Sequence, residues 1–211
     1  LKLDELKGMY TAIFSLGFNC TPSIQLEAKQ LRPFAGVLDW TVSNNLSDVN
    51  RLLSNKFTGY MEIPNLQMLD LVPNHPNYIV QDTHYNMVSC HDFPILPNST
   101  SYLSTYPQFK ERLNRRVARF LDKMLTSPKI LFVRLQGSFE EASELQTVLS
   151  SLVVNDFRVL LVNYTKVTEM VELDWPLEKV CEVELPEFDM YGGNYDPNWN
   201  PLLEGIQFMN M

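Results

Sequence analysis

Lys129-Ile130-Leu131-Phe132-Val133-Arg134-Leu135 and Arg158-Val159-Leu160-Leu161-Val162-Asn163 are two short apolar runs rich in β-branched residues. Each is shorter than a buried helix needs and reads as a buried strand. Between them Leu145, Val148, Leu149 and Leu152 recur at helical spacing and predict a helix over 140–153. Strand, helix and strand with short links form a βαβ unit, whose crossover pairs the two strands in parallel. The class expected is therefore α/β, a mainly parallel sheet with helices on both faces.

Working outward, Phe109, Leu113, Val117, Phe120, Leu121, Met124 and Leu125 keep the helical period and predict a long helix over 107–126. Its other faces carry Arg115, Arg116 and Arg119, read as a solvated face or as a binding surface for an acidic group. Residues 9–16, Met-Tyr-Thr-Ala-Ile-Phe-Ser-Leu, predict another buried strand, broken by Gly17-Phe18-Asn19-Cys20. Thr21-Pro22 opens a helix of about ten residues, which Arg32-Pro33 ends because the residue before proline avoids the α region. A further helix is expected near 46–54 with Asn45 as its cap. Strand-like segments fall near 78–81 and 85–90, and a late strand near 179–183. Residues 33–106 fit the alternation badly and predict an irregular insertion, or a cap over the sheet edge. Residues 186–205, rich in Pro, Gly, Asp and Trp, read as a loop with one terminal turn. No internal repeat and no linker interrupts the 211 residues, so a single domain over 1–211 is expected.

Composition narrows the function. Seventeen basic against 25 acidic residues leave a net charge of −8, which repels phosphate backbones and acidic membrane surfaces. No nucleic-acid and no membrane partner is expected, and no run approaches the length of a membrane span. Residues 1–7 carry acids and lack the apolar centre of a secretory signal. Three cysteines, an odd number with no zinc spacing, form no disulfide framework and suggest a reducing, cytoplasmic setting. No glycine-rich phosphate loop and no His-Glu-x-x-His occurs, so neither a cofactor nor a metal is expected. A small molecule, a peptide or a glycan remains as the substrate class.

Cys20 is the strongest candidate for chemistry. It follows a strand and a glycine and precedes a helix start, where free N–H groups and the helix dipole favour a thiolate. The amides after it, with Asn19 and Thr21, could also hold an oxyanion. The bland reading is a small residue filling a strand–helix corner. His91, at the end of an apolar strand in Ser89-Cys90-His91-Asp92-Phe93, is the best partner base, whereas His75 and His84 sit in polar, loop-like surroundings. Cys90 and Cys181 read as strand-interior fillers, Cys90 because it alternates with His91. Asp39, Asp92 and Asp196 compete as the acid behind the histidine. Asp92 is disfavoured because adjacent strand residues face opposite ways, and Asp39 is preferred.

Taken together, Ser15-Leu16-Gly17-Phe18-Asn19-Cys20, Leu31-Arg32-Pro33-Phe34-Ala35-Gly36-Val37-Leu38-Asp39-Trp40, Cys90-His91-Asp92-Phe93 and the strand from Ile130 to Arg134 resemble the DUF1796 family of papain-like cysteine peptidases. The resemblance covers about residues 11–205. It implies a Cys–His hydrolase or acyltransferase with Cys20 as nucleophile and His91 as base, and Asp39 matches the family's Asp-Trp block. The glutamine that usually precedes a papain-like nucleophile is missing before Cys20, so Asn19 or backbone amides would have to serve. A papain-like α+β fold is the alternative to the α/β reading, although the βαβ unit sits poorly with it.

The function expected is a thiol-dependent attack on an amide, peptide or ester carbonyl. The rival is a non-catalytic peptide- or carbohydrate-binding α/β domain, in which Trp40, Tyr191, Tyr195 and Trp199 line a groove. In the enzyme reading Trp40 and Trp199 are the substrate-binding candidates. A weaker third reading is an esterase of the SGNH kind, but Asp196-Pro197-Asn198-Trp199 lacks the histidine of that family's last block.

Overall fold

The computed structural model describes residues 1–69, 75–189 and 194–209. The chain starts with β1 (Gly8–Tyr10), β2 (Ala12–Ser15) and α1 (Thr21–Ala28). The insertion contributes β3 (Thr41–Val42), α2 (Leu46–Ser54), β4 (Leu66–Met68), β5 (Asn77–Asp82) and β6 (Met87–Pro94). Then follow α3 (Tyr106–Thr126), β7 (Lys129–Leu135), α4 (Phe139–Leu152), β8 (Asp156–Thr165), β9 (Val171–Leu173) and β10 (Val180–Pro186). The tail forms α5 (Asn200–Leu203) and β11 (Ile206–Phe208).

The central sheet has the order β2-β7-β8-β10-β9. Its first four strands run parallel, and β9 closes one edge antiparallel to β10. The architecture is α/β, so the papain-like α+β alternative does not hold. Each strand divides its residues between two cores by simple alternation. Phe14, Phe132, Val159, Leu161 and Val180 face a core shared with α2, α3 and α4. Ile13, Leu131, Val133, Leu160, Val162 and Cys181 face a second core with Leu26 of α1 and Leu202 and Leu203 of α5. Being buried on both faces is what makes these strands continuous apolar runs.

Two expectations need correction. The strand expected over 9–16 is two strands. β1 pairs in parallel with β11, whereas β2 pairs with β7. Thr11 is the joint, with its amide donating to Lys129 O at 3.0 Å. The tail accordingly contains a strand that its loop-like composition hid. The insertion, expected to be irregular, holds an antiparallel sheet of order β3-β6-β5-β4. That sheet meets the central one through a parallel bridge between Phe18 and Val42.

Candidate functional site

The turn after β2 is tightly held. Gly17 has φ +78° and Phe18 φ +91°. Positive φ is rare for a bulky residue and costs about 1–3 kcal/mol, so neighbours must enforce it. Ser43 Oγ accepts from the Phe18 amide at 3.1 Å, and Phe18 O accepts from the Ser43 amide at 2.8 Å. A Cβ on Gly17 would lie 3.1 Å from Ser43 Oγ and 3.2 Å from Leu38 O, so the close approach as well as the φ demands glycine. Beneath the turn lies Arg134, completely buried on β7. It donates to Leu16 O (3.0 Å), Ser43 Oγ (2.7 Å), Ser43 O (2.7 Å) and Gln136 O (3.0 Å). Burial pushes its pKa down, and these four acceptors favour the guanidinium form.

Cys20 is the N-cap of α1 and half-buried. Burial pushes its thiol pKa up, opposed by its own backbone amide, a direction contrary to the lowering expected at a helix start. The first turn is also less generous with donors than expected. The Thr21 amide donates to Asn19 Oδ1 at 2.9 Å, residue 22 is proline, and the Ile24 amide donates to Cys20 O at 3.0 Å. Asn19 and Thr21 are both buried and shape the turn.

A cavity of about 190 Å³ is lined by Asn19, Cys20, Trp40, Val42, His75, Cys90 and His91. It sits where the end of β2 meets the sheet of the insertion. Cys20 and His91 thus share one wall-to-wall space, with no hydrogen bond between them. His91 is exposed at the rim. Its ring stands edge-on to Trp40 with centroids 6.1 Å apart, and 6.3 Å from His75.

His75 and Cys90 are the residues that sequence reasoning missed. Cys90 was expected to face away from His91. Instead Tyr78 pairs with Phe93 and Val80 with Ser89, so Ile79 alone opposes Cys90, His91 and Asp92. This bulge breaks strict alternation and lets Cys90 line the cavity beside His91. No periodicity marks a bulge in advance. His75 comes from a proline-flanked stretch without any pattern; its Nδ1 lies 2.8 Å from Asn77 O. Burial pushes the Cys90 thiol up, with Cys20 adding to the effect. Cys181 is fully buried and pushed up to about 12. Among the described residues no group of three His, Cys, Asp or Glu side chains could hold a metal ion.

The three acids are all engaged elsewhere. Asp39 does not meet His91: its carboxylate accepts from Arg32 Nε at 2.7 Å and from the Gly36 amide at 2.7 Å. Its link to the cavity is indirect, because the Arg32 guanidinium lies 5.4 Å from the Trp40 ring that stands against His91. Asp92 accepts from Ser89 Oγ at 2.7 Å and lines a different cavity with Arg112. Asp196 is buried and accepts from Tyr164 OH at 2.8 Å.

Of the aromatic groove, only Trp40 reaches the cavity among the described residues. Trp199 is corrected: it is fully buried, donating from Nε1 to Tyr164 OH at 2.8 Å, because the tail folds back onto the second core. Tyr195 donates to Asn200 Oδ1, and Tyr191 lies outside the described residues.

Comparison with known proteins agrees with the motifs. The family described as "Putative papain-like cysteine peptidase (DUF1796)" matches residues 11–167. The match therefore covers the turn at Cys20, the whole insertion and the βαβ unit, but stops short of β10 and the tail, which the resemblance was expected to include. A chain from Acanthamoeba polyphaga mimivirus named "Uncharacterized protein R408" is 27% identical over 164 residues, covering 69% of this chain and 73% of its own length. No solved structure matches. Among the described residues no helix is long and apolar enough to cross a membrane.

Proposed function

Because the chain belongs to the DUF1796 family, we propose that it is a thiol-dependent hydrolase or acyltransferase acting on an amide, peptide or ester carbonyl. The observation that carries this reading is the shared cavity of Cys20 and His91, one brought by the start of α1 and the other by β6 of the insertion's sheet. Cys20 Sγ attacks the carbonyl carbon while His91 takes the thiol proton. Collapse of the tetrahedral species expels the amine or alcohol, to which His91 returns that proton. Water, or a second nucleophile in acyl transfer, then releases the acyl group with His91 as base again. A thiol pushed up by burial suits this order, since the resting sulfur keeps its proton until a base removes it. Trp40 forms the apolar wall, and Asp39 holds Arg32 against it.

A second reading keeps the nucleophile and changes the base. His75 lines the same cavity and is half-buried, unlike the exposed His91. Three cysteines free of disulfides suit the reducing, cytoplasmic setting.

The test is alkylation by iodoacetamide, followed peptide by peptide across pH. Cys20 is expected to react at least about tenfold faster than Cys90 and Cys181, with a profile that His91→Asn shifts toward higher pH. A shift produced by His75→Asn and not by His91→Asn would move the base role to His75. Uniformly slow alkylation of all three cysteines would refute the enzyme reading and favour a binding domain.

A further inference from the structure

At the end of the parallel strands opposite Cys20, before β2 and β7 begin, lies a larger cavity of about 320 Å³. Its walls include Phe34, Arg119, Lys123, Ser127 and Phe208, and no carboxylate is among the described residues that line it. That is notable in a chain with a net charge of −8. Arg119 and Lys123 are one helical turn apart on α3 and both half-buried. Arg119 spends one donor on Ala35 O at 3.4 Å and lies 5.1 Å from the Phe34 ring. Lys123 has no ion pair among the described residues, whereas Arg32, Arg51, Arg115, Arg158 and Lys179 all meet carboxylates.

Positive charge in the last two turns of a helix also offsets its unpaired carbonyls, and that accounts for two cations here. It does not account for Ser127. This residue is 2% exposed, and its hydroxyl has no hydrogen-bond partner among the described residues. A buried polar group left unpaired costs about 1–3 kcal/mol, which a ligand would recover if the side chain turned its hydroxyl into the cavity that Ser127 lines. Nor does the dipole explain two aromatic rings facing the same space. The volume lies at the lower end of small-molecule sites, roughly 300–1,000 Å³.

We propose that this cavity binds a small phosphomonoester whose organic part is a flat apolar group. Two cations neutralise a dianionic head, and the guanidinium fork and the ammonium supply donors for its terminal oxygens; the Ser127 hydroxyl, enclosed in this structure, joins them once its side chain turns toward the cavity that the residue lines. Phe34 and Phe208 take the flat group between them. The site is independent of the thiol chemistry, because no residue is shared between the two cavities.

Titration of the full chain with 1-naphthyl phosphate, read by naphthyl fluorescence and by calorimetry, tests this. Saturable binding is expected, with 1-naphthol and inorganic phosphate each at least about tenfold weaker. Arg119→Gln and Lys123→Gln should each weaken binding about tenfold with the melting temperature unchanged, and Lys123→Arg should retain it. Should Arg119→Gln fail to fold, the Lys123 pair alone decides. The proposal is overturned by equal affinity for 1-naphthol, by affinity unchanged in Lys123→Gln, or by no saturation at about 10 mM ligand.

Discussion

Asp39 shows how a residue can carry a motif without performing the chemistry the motif suggests. It is 2% exposed, and its carboxylate joins Arg32 to the Gly36 amide. A Cβ on Gly36 would lie 2.5 Å from Asp39 Oδ1, so the glycine is there to let the carboxylate approach the backbone. Asp39→Asn keeps one acceptor but removes the charge facing Arg32. It is expected to cost about 2–3 kcal/mol in chemical denaturation, with the pH midpoint of Cys20 alkylation unchanged. A shifted midpoint would instead make Asp39 part of the proton-transfer chemistry. Gly17 and Phe18 work at the same scale: two positive φ angles aim the chain so that Cys20 emerges at the mouth of the cavity.

At the scale of elements, the helices hold the insertion against the sheet. The capping box of α4 does more than start that helix. Ser138 Oγ accepts from the Glu141 amide at 3.2 Å, and Glu141 Oε2 accepts from the Ser138 amide at 3.0 Å. The other oxygen of Glu141 accepts from the Ser47 amide at 2.9 Å, in the first turn of α2. Expected orphan amides at two helix starts are thus satisfied by one side chain. Ser138→Ala should cost about 1 kcal/mol, and Glu141→Ala more, because it frees amides in both helices; thermal melting of the two variants checks the order. Asn45, expected as the cap of α2, sits at the N-cap position but turns its amide to Asp48 Oδ2 at 3.3 Å.

At the scale of the whole molecule, Glu182 is a buried acid whose titration should shape the pH dependence of stability. Glu182 on β10 is 1% exposed; Oε1 accepts from Asn163 Nδ2 at 2.8 Å, and Oε2 has no partner among the described residues. Burial pushes its pKa up to about 7, with Glu184 adding to it and Asn163 opposing. The folded chain then holds this proton more tightly than the unfolded chain does. Its contribution to stability is fully present below the ordinary glutamate range, falls as pH rises, and levels off above about 7. Glu182→Gln should flatten that slope, gaining on the order of 3 kcal/mol over the parent at about pH 8 relative to about pH 4. Denaturation at the two pH values decides it; parallel pH curves for parent and variant would contradict the assignment.

The α/β class was legible because it rests on local regularities. Strands buried on both faces must be apolar throughout, and α3 and α4 must keep a stripe at helical spacing. The motif of strand, glycine and helix start that singled out Cys20 is equally local. The cavity was legible only in part. Cys20, His91 and Trp40 could be named from their surroundings, but Cys90 enters through a bulge, His75 through an unpatterned stretch, and Trp199 leaves for the core because the tail folds back to pair β11 with β1. Each of these depends on which distant segments pair, and pairing is chosen by packing and hydrogen-bond satisfaction over the entire chain. Neighbouring residues along the sequence therefore determine the elements and the nucleophile's turn. Only the tertiary structure decides which histidines stand beside it and which acids are already engaged, since those contacts join segments that carry no local record of one another.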